Sequence, residues 1–420
     1  MKNVDISSQR QLTEEFTWLR NLLLQIDARP VELLNSGGSP ARVVRVRTSR
    51  GEELVIKYLF ADDGQVDGHD LETFRLKPMQ IQRIRDELPY LRPFYSEVLE
   101  QFEGPGWSVY SMPFYTGETL TKSLTDSLPS VNLFFRDIKY IVQVLVQFGY
   151  AVSFKSTPMG YFEHTHIDRV KRRFWLLERH LPREILMSER LVINGYICMP
   201  VPALLRQLEN CTDLLHCLQP PKLHYPVHGD ANLGNFIIQG RTNTDNSCGI
   251  NFGFKVLDPR GTLDYRDASY DFAKMLFSLS LFEPAMEGGF EIQRTGEGVY
   301  EVQLRKSELH GYLEAAELFL DVLDTIEAYK DLVRNSFHEW RRRILFAHAF
   351  HAVAESACRL SDQKERVLGS ERGFAVCQEL ALGLYLAGTL LLNELVHIYE
   401  DCNACRPAKQ MERLRSLWGK

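Results

Sequence analysis

Residues 227–238 read Val-His-Gly-Asp-Ala-Asn-Leu-Gly-Asn-Phe-Ile-Ile, and this stretch constrains the chain more than any other. His228, Gly229 and Asp230 are followed by four residues, then Asn235, then the apolar run Phe236, Ile237 and Ile238. A second alternating segment, Phe254 to Leu257, ends on Asp258, Pro259, Arg260 and Gly261. A carboxylate, an amide five positions on and a second carboxylate after a hairpin are the set a metal–nucleotide phosphoryl-transfer site requires. One aspartate orients or deprotonates an attacking hydroxyl, while the asparagine and the other aspartate hold magnesium. The fold must therefore bring Asp230, Asn235 and Asp258 together, and the rest of the chain must supply the nucleotide and acceptor sites.

With 420 residues, the chain is long enough for two or three lobes and a sizeable core. A net charge of −6 argues against a dedicated nucleic-acid binder. The short basic runs at Arg169 to Arg173 and Arg341 to Arg343 read as solvated helix faces. Eight cysteines are too sparse for a disulfide scaffold, and the C-x-x-C at Cys402 and Cys405 has no second pair for zinc. Polar residues from Asp5 to Arg10 interrupt any signal-peptide core. No uninterrupted apolar run of about 18 residues occurs. The expectation is a cytoplasmic protein that does not insert into a membrane.

Taken in order, residues 11–27 place Leu12, Phe16, Leu19, Leu23 and Ile26 on one helical face, and Pro30 stops the pattern. A β-rich section follows. Val43 to Thr48 and Leu54 to Leu59 flank a Ser-Arg-Gly turn and predict a hairpin. Ahead of it, Gly37, Gly38 and Ser39 form a loop whose backbone amides are able to approach phosphate oxygens, or a plain turn. Lys57 interrupts the apolar strand. It is either an outward residue of the alternation or a buried cation aimed at something anionic. Residues 69–88 predict a helix that Pro78 kinks or splits. Within it, Glu72 is the natural carboxylate partner for Lys57, with Gln80 a competing position. A second hairpin spans Val98 to Met112, and β signals end at the linker Pro113 to Leu120. Beyond Ser130 the pattern is mostly helical, over 131–150, 201–217, 308–333, 336–360 and 371–400. Thr165 reads as a helix N-cap, which accounts for His164, His166 and Asp168 better than a metal site does. The predicted organisation is an amphipathic helix over 1–29, a nucleotide-binding lobe over 30–118 and a helical lobe over 119–420.

This succession resembles the protein-kinase-like fold, and within it the aminoglycoside phosphotransferase and choline kinase branch, which has H-G-D where protein kinases have H-R-D. The resemblance covers residues 30–280 and is specific at the motifs. It implies an α+β bilobal fold, ATP and Mg2+, and the following roles. Asp230 would be catalytic, and Asn235 and Asp258 would hold the metal. Lys57, steadied by Glu72, would hold the α- and β-phosphates, under Gly37, Gly38 and Ser39. The backbone from Met112 to Phe114 would meet the adenine edge. His228 reads as a packing residue, and Asp271, in Tyr270-Asp271-Phe272-Ala273, would brace the catalytic loop. Asp258-Pro259-Arg260 departs from the D-F-G of protein kinases, and a similar ending occurs in phosphotransferase-like proteins of bacterial surface-polysaccharide loci.

The implied activity is phosphorylation of a small hydroxyl compound, such as a sugar, amino sugar or amino alcohol. Candidate acceptor contacts are Arg260, the polar Arg169, Arg172 and Arg173, and His348 and His351 in an apolar helix. A protein Ser/Thr kinase is the alternative, but Asp258 to Asp271 leaves little room for an activation segment and contains no A-P-E. A nucleotide-binding pseudokinase or scaffold is a further alternative; loss of Lys57, Asp230 or Asp258 would mark it, and all three are present.

Overall fold

The computed structural model describes residues 6–34, 40–63, 66–126, 130–240, 253–305, 310–334, 336–361, 371–400 and 407–418. The glycine loop at Gly37 to Ser39 and the pair Cys402 and Cys405 lie outside them. The arrangement is bilobal and α+β. The N-terminal region holds a five-stranded antiparallel sheet of β1 (Ala28–Leu34), β2 (Arg42–Thr48), β3 (Glu53–Phe60), β4 (Glu100–Gly104) and β5 (Trp107–Pro113), in the order β1-β2-β3-β5-β4. Helix α1 (Ile6–Gln25) covers one face and α2 (Leu71–Glu87) the other.

Strand alternation decides what each face receives. On β3, Ile56 and Tyr58 pack with Leu22, Leu23, Val44 and Val109 on the α1 side. Val55 and Leu59 pack with Phe74 and Tyr110 on the α2 side. Lys57 lies between Val55 and Leu59 in this alternation, so it shares the α2 face. Asp70 caps α2, accepting from the Thr73 amide at 2.8 Å. Pro78 does not split the helix. The proline is buried within a continuous helix whose Phe74, Ile81 and Ile84 pack on both sides of it.

Glu118–Thr119 (β6) joins the hairpin of strands Phe236–Gln239 and Gly253–Val256, pairing Thr119 with Ile237. Around this hairpin the C-terminal region is helical. Phe337–Ser361 packs against Ser269–Phe277, Asp168–His180 and Glu371–Glu400. The stretch Val376–Tyr399 is long and apolar enough to cross a membrane by length and composition, but 83% of its apolar window is buried inside the fold.

Two local expectations are corrected here. Thr165 is not an N-cap: a wide turn over Glu163–Ile167 runs directly into the helix Asp168–His180, because Phe162, His166 and Ile167 are buried and the helical path begins before them. A hairpin also stands where no element was expected. Phe290–Gly296 and Val299–Leu304 pair with each other, and the second strand adds Leu191–Ile193 in parallel.

Candidate active site

A cavity of about 500 Å3 opens between the sheet and the helical region. One end is apolar, lined by Leu34, Val43, Val55 and Met112 from the sheet and by Ile237 and Leu257 from the hairpin, with Phe114 in the linker. The other end is polar, and Lys57, Asp230, Asn235 and Asp258 all line the cavity.

The loop carrying Asp230 is held from three directions. Asp271, fully buried, accepts from the His228 amide at 2.7 Å, the Gly229 amide at 2.8 Å and the Tyr150 hydroxyl at 2.7 Å. Burial nevertheless keeps the Asp271 carboxyl above its ordinary value. His228 Nδ1 accepts from the Asp230 amide at 3.2 Å, so the ring proton sits on Nε2 and is donated to the Leu257 carbonyl at 2.8 Å. This imidazole ties the loop to the strand that ends on Asp258 and faces no reacting atom. Asn235 closes the loop by donating its amide to the Asp230 carbonyl at 2.8 Å. The Leu257 amide donates to the Asn235 carbonyl at 2.9 Å. Gly229 has φ of 77°, and a Cβ there would meet the Arg260 side chain at 2.9 Å.

Asp258 itself sits at φ of 50°, an uncommon conformation for a non-glycine residue. Its two oxygens are taken by two lysines, Lys57 at 2.6 Å and Lys77 of α2 at 2.7 Å. Burial would push this carboxyl up, but the two ammonium groups outweigh it and hold the group well below the usual carboxylate range. Burial pushes Lys57 down to about 8, against the attraction of Asp258 and reinforced by repulsion from Lys77.

The expected Lys57–Glu72 pair is a correction. Glu72 is exposed in the first turn of α2, and the acid on Lys57 is Asp258. Helix phase explains it: Phe74, Lys77, Gln80, Ile81 and Ile84 form the inward face, and Glu72 lies off it. Gln80 braces the turn after Asp258. Its side-chain oxygen accepts from the Gly261 and Thr262 amides, both at 2.8 Å, and its amide donates to the Val227 carbonyl at 3.0 Å.

Asp230 also has neighbours that the sequence did not announce. Lys274 Nζ lies 3.2 Å from Asp230 Oδ1 and 2.8 Å from Glu355 Oε2. Burial lowers the affinity of Lys274 for its proton, but Glu355 and Asp230 outweigh it and raise its pKa. Arg359 and Glu283 line the same end of the cavity. Glu283 is pushed up to about 7 by burial.

Most of the proposed acceptor contacts lie elsewhere, a second correction. His348 bonds Ser280 Oγ at 2.8 Å and His351 bonds Arg169 at 3.1 Å; both rings are in the helical core, where burial takes His348 down to about 3. Arg173 is spent on the Ala354 and Asp67 carbonyls and on Cys358 Sγ. Arg172 is exposed, 3.4 Å from Asp67. None of Arg169, Arg172, Arg173, Arg260, His348 and His351 lines the main cavity. Arg169 and Arg260 instead line a small recess beside Asp230.

The donor set fits magnesium. Asp258 offers carboxylate oxygens, and Asn235, whose NH2 is turned to the Asp230 carbonyl, offers its amide oxygen. A cation binding Asp258 would displace a lysine from it.

No protein-family model matches the chain, and no curated protein matches it. Solved structures similar to it include the aminoglycoside phosphotransferase APH(3'')-Id from Streptomyces rimosus in complex with ADP and streptomycin, at 14% identity and TM-score 0.38, covering 79% of this chain and 98% of that one. Amicoumacin kinase hAmiN, in complex with AMP-PNP, Ca2+ and Ami, is similar at 12% identity and TM-score 0.41, covering 91% and 96%. A MAP kinase from Leishmania major is similar at 13% identity and TM-score 0.26, covering 97% and 99%. Identities and TM-scores this low leave the chemistry to be read from the site itself.

Proposed function

We propose that this chain transfers the γ-phosphoryl group of ATP, or another nucleoside triphosphate, to a hydroxyl of a small molecule. The observation that carries the reading is the convergence of Asp230, Asn235 and the Lys57–Asp258 pair, 2.6 Å apart, on one cavity with an apolar slot at its far end. A slot between Val43, Val55, Ile237 and Leu257 suits a flat base, and a base there would direct the triphosphate toward Lys57. Asn235 and Asp258 would hold magnesium, which would neutralise phosphate charge and fix the triphosphate's orientation. Asp230 would accept a hydrogen bond from the acceptor hydroxyl and take its proton as the new O–P bond forms and the bond to the departing diphosphate breaks. Lys274 would limit the charge that Asp230 presents. The glycine loop over the phosphates rests on the resemblance alone.

A small acceptor is favoured over a protein one by the segment after Asp258. Gln80 holds the Gly261 and Thr262 amides, Arg83 holds the Leu263 carbonyl at 2.7 Å, and His224 and Arg266 pair through their backbones. A segment fastened in this way supports a small acceptor over an extended peptide. The test is a screen of small hydroxyl compounds for acceptor-dependent ATP consumption with magnesium, run beside a mixture of peptides. Efficient phosphorylation of the peptides with no small acceptor would overturn the small-molecule reading.

A further inference from the structure

Beyond Asp230 the cavity continues into a recess of about 20 Å3, and His69, Asp230 and Glu355 line both spaces. The volume is about what one water needs, so only the oxygens of a head group reach into it while the rest of that group stays in the main cavity. Its walls carry Lys77, Arg169, Arg260 and Lys274 against Asp70, Asp230 and Glu355.

The carboxylates there are already committed. Asp70 is the cap of α2, accepting from Gly68, Thr73 N and Thr73 Oγ1. Glu355 takes Lys274 at 2.8 Å, and Lys274 shares its proton donors with Asp230. Lys77 belongs to Asp258.

Two arginines are left with unused donors. Among the described residues Arg260 makes no side-chain hydrogen bond; Asp67 is 3.9 Å away, and Asp230 lines the same recess. Arg169 is 4% exposed, and among the described residues its Nε has no partner and its one hydrogen bond goes to His351. Its distance to Glu355, 3.8 Å, is too long for a hydrogen bond. A guanidinium is always charged and presents five N–H donors in a planar fork. A buried donor without a partner, here Arg169 Nε, costs free energy, and with the half-buried Arg260 beside it the two forks at one recess suit an anion's oxygens.

We propose that the acceptor is an acid: a hydroxylated compound with a carboxylate or phosphate group whose oxygens seat in this recess between Arg169 and Arg260. Its hydroxyl then lies against Asp230, and its body occupies the cavity beside Phe282 and Met286. The inference rests on the phosphotransfer reading for the hydroxyl's role. The recess disfavours a cationic acceptor such as an amino sugar, because an ammonium group there would face Arg260 and Lys274.

The test is calorimetric titration of the protein, loaded with the imido analogue of ATP and magnesium, with four probes: glucuronate, glucose 6-phosphate, glucose and glucosamine. At least one acid should bind roughly tenfold or more tighter than glucose, and glucosamine weaker than glucose. The first two probes separate carboxylate from phosphate recognition. Arg260→Gln should lower the acid's affinity roughly tenfold or more, with nucleotide affinity unchanged as the check on folding. Arg260→Lys, which keeps the charge but not the fork, should fall between. Equal or better binding of glucose or glucosamine, or no binding by any probe, overturns the proposal. So does an Arg260→Gln variant that loses nucleotide affinity and leaves acid affinity intact, since the recess would then belong to the donor. If the acids bind there and no phosphoryl group ever reaches them or any other acceptor, the acid site stands and the phosphotransfer reading fails.

Discussion

Lys57 and Lys77 share one carboxylate, and removing them singly or together should have opposite effects on stability. Burial holds Lys57 at about 8, below its ordinary 10.5. At pH 7 the folded protein therefore carries this ammonium at a cost of about 3 kcal/mol, from about 1.4 kcal/mol for each pH unit between the two values. Lys57→Met keeps the aliphatic stem, and Lys77 stays on Asp258 at 2.7 Å, so no carboxylate is orphaned. The variant should be more stable than wild type by ~1–3 kcal/mol at pH 7, while ATP affinity or turnover falls by about a factor of ten or more. Adding Lys77→Met leaves Asp258 buried with no cation, and should cost ~3–5 kcal/mol relative to the single variant. The pH dependence follows from the same shift. The folded-state value is the lower one, so the unfolded chain binds the extra proton between about pH 8 and pH 10.5. Wild-type stability should rise across that window relative to Lys57→Met, and the difference should be constant below it. Urea unfolding of the wild type, both single variants and the double variant, at pH 7 and across that window, measures this. A Lys57→Met variant as unstable as the double, or parallel pH curves, would refute the shared-carboxylate account.

Asp271→Ala strips three buried donors of their acceptor, so unfolding should show a loss of ~3–5 kcal/mol, against ~1 kcal/mol for Tyr150→Phe. Turnover of the alanine variant should fall as well, because two of those donors are amides of the catalytic loop. Glu283, raised to about 7, contributes stability that is fully present below its ordinary 4.5 and is lost as pH rises through 7. Denaturant curves between pH 4 and pH 8 should show a wild-type decline of up to ~3 kcal/mol relative to Glu283→Gln, and parallel curves would remove Glu283 from the account.

The sheet and the catalytic hairpin were legible because they rest on local pattern. The Ser-Arg-Gly turn between two β-rich runs marks the hairpin, and the spacing from His228 to Asn235 marks the loop without help from the tertiary fold, while the face of Lys57 is left open by its strand. The partner of Lys57 was not legible. Charge and sequence distance point to Glu72, whereas helix phase decides: Lys77 lies on the stripe of Phe74, Ile81 and Ile84, and Glu72 does not. Two of the site residues missed in the sequence share one signal. Lys274 in Ala273-Lys274-Met275 and Glu355 in Ala354-Glu355-Ser356-Ala357 are single charges inside buried apolar runs, as Lys57 is in its strand, whereas Lys77, with Arg75 two positions before it, is marked by helix phase alone. His348 and His351 carry the same signal and are packing residues, because their ring nitrogens find Ser280 and Arg169 inside the core. Pattern therefore marks a buried polar side chain, and only the packing of helices distant in sequence decides whether it faces the cavity. The hairpin over 290–304 carries alternation and a Gly-Glu-Gly turn, a short local signal between helical stretches.

The central claim is that Asp230 directs a phosphoryl group from a nucleotide to a small hydroxyl. Its most direct test is mass spectrometry of the acceptor after incubation with ATP labelled in the γ-phosphoryl oxygens, comparing wild type with Asp230→Asn. The account predicts label in a small-molecule phosphate ester with the wild type. In the variant, ester formation should fall by about two to four powers of ten, with nucleotide binding retained. An undiminished yield of ester from Asp230→Asn, or label found only in inorganic phosphate or peptide with the wild type, would contradict it.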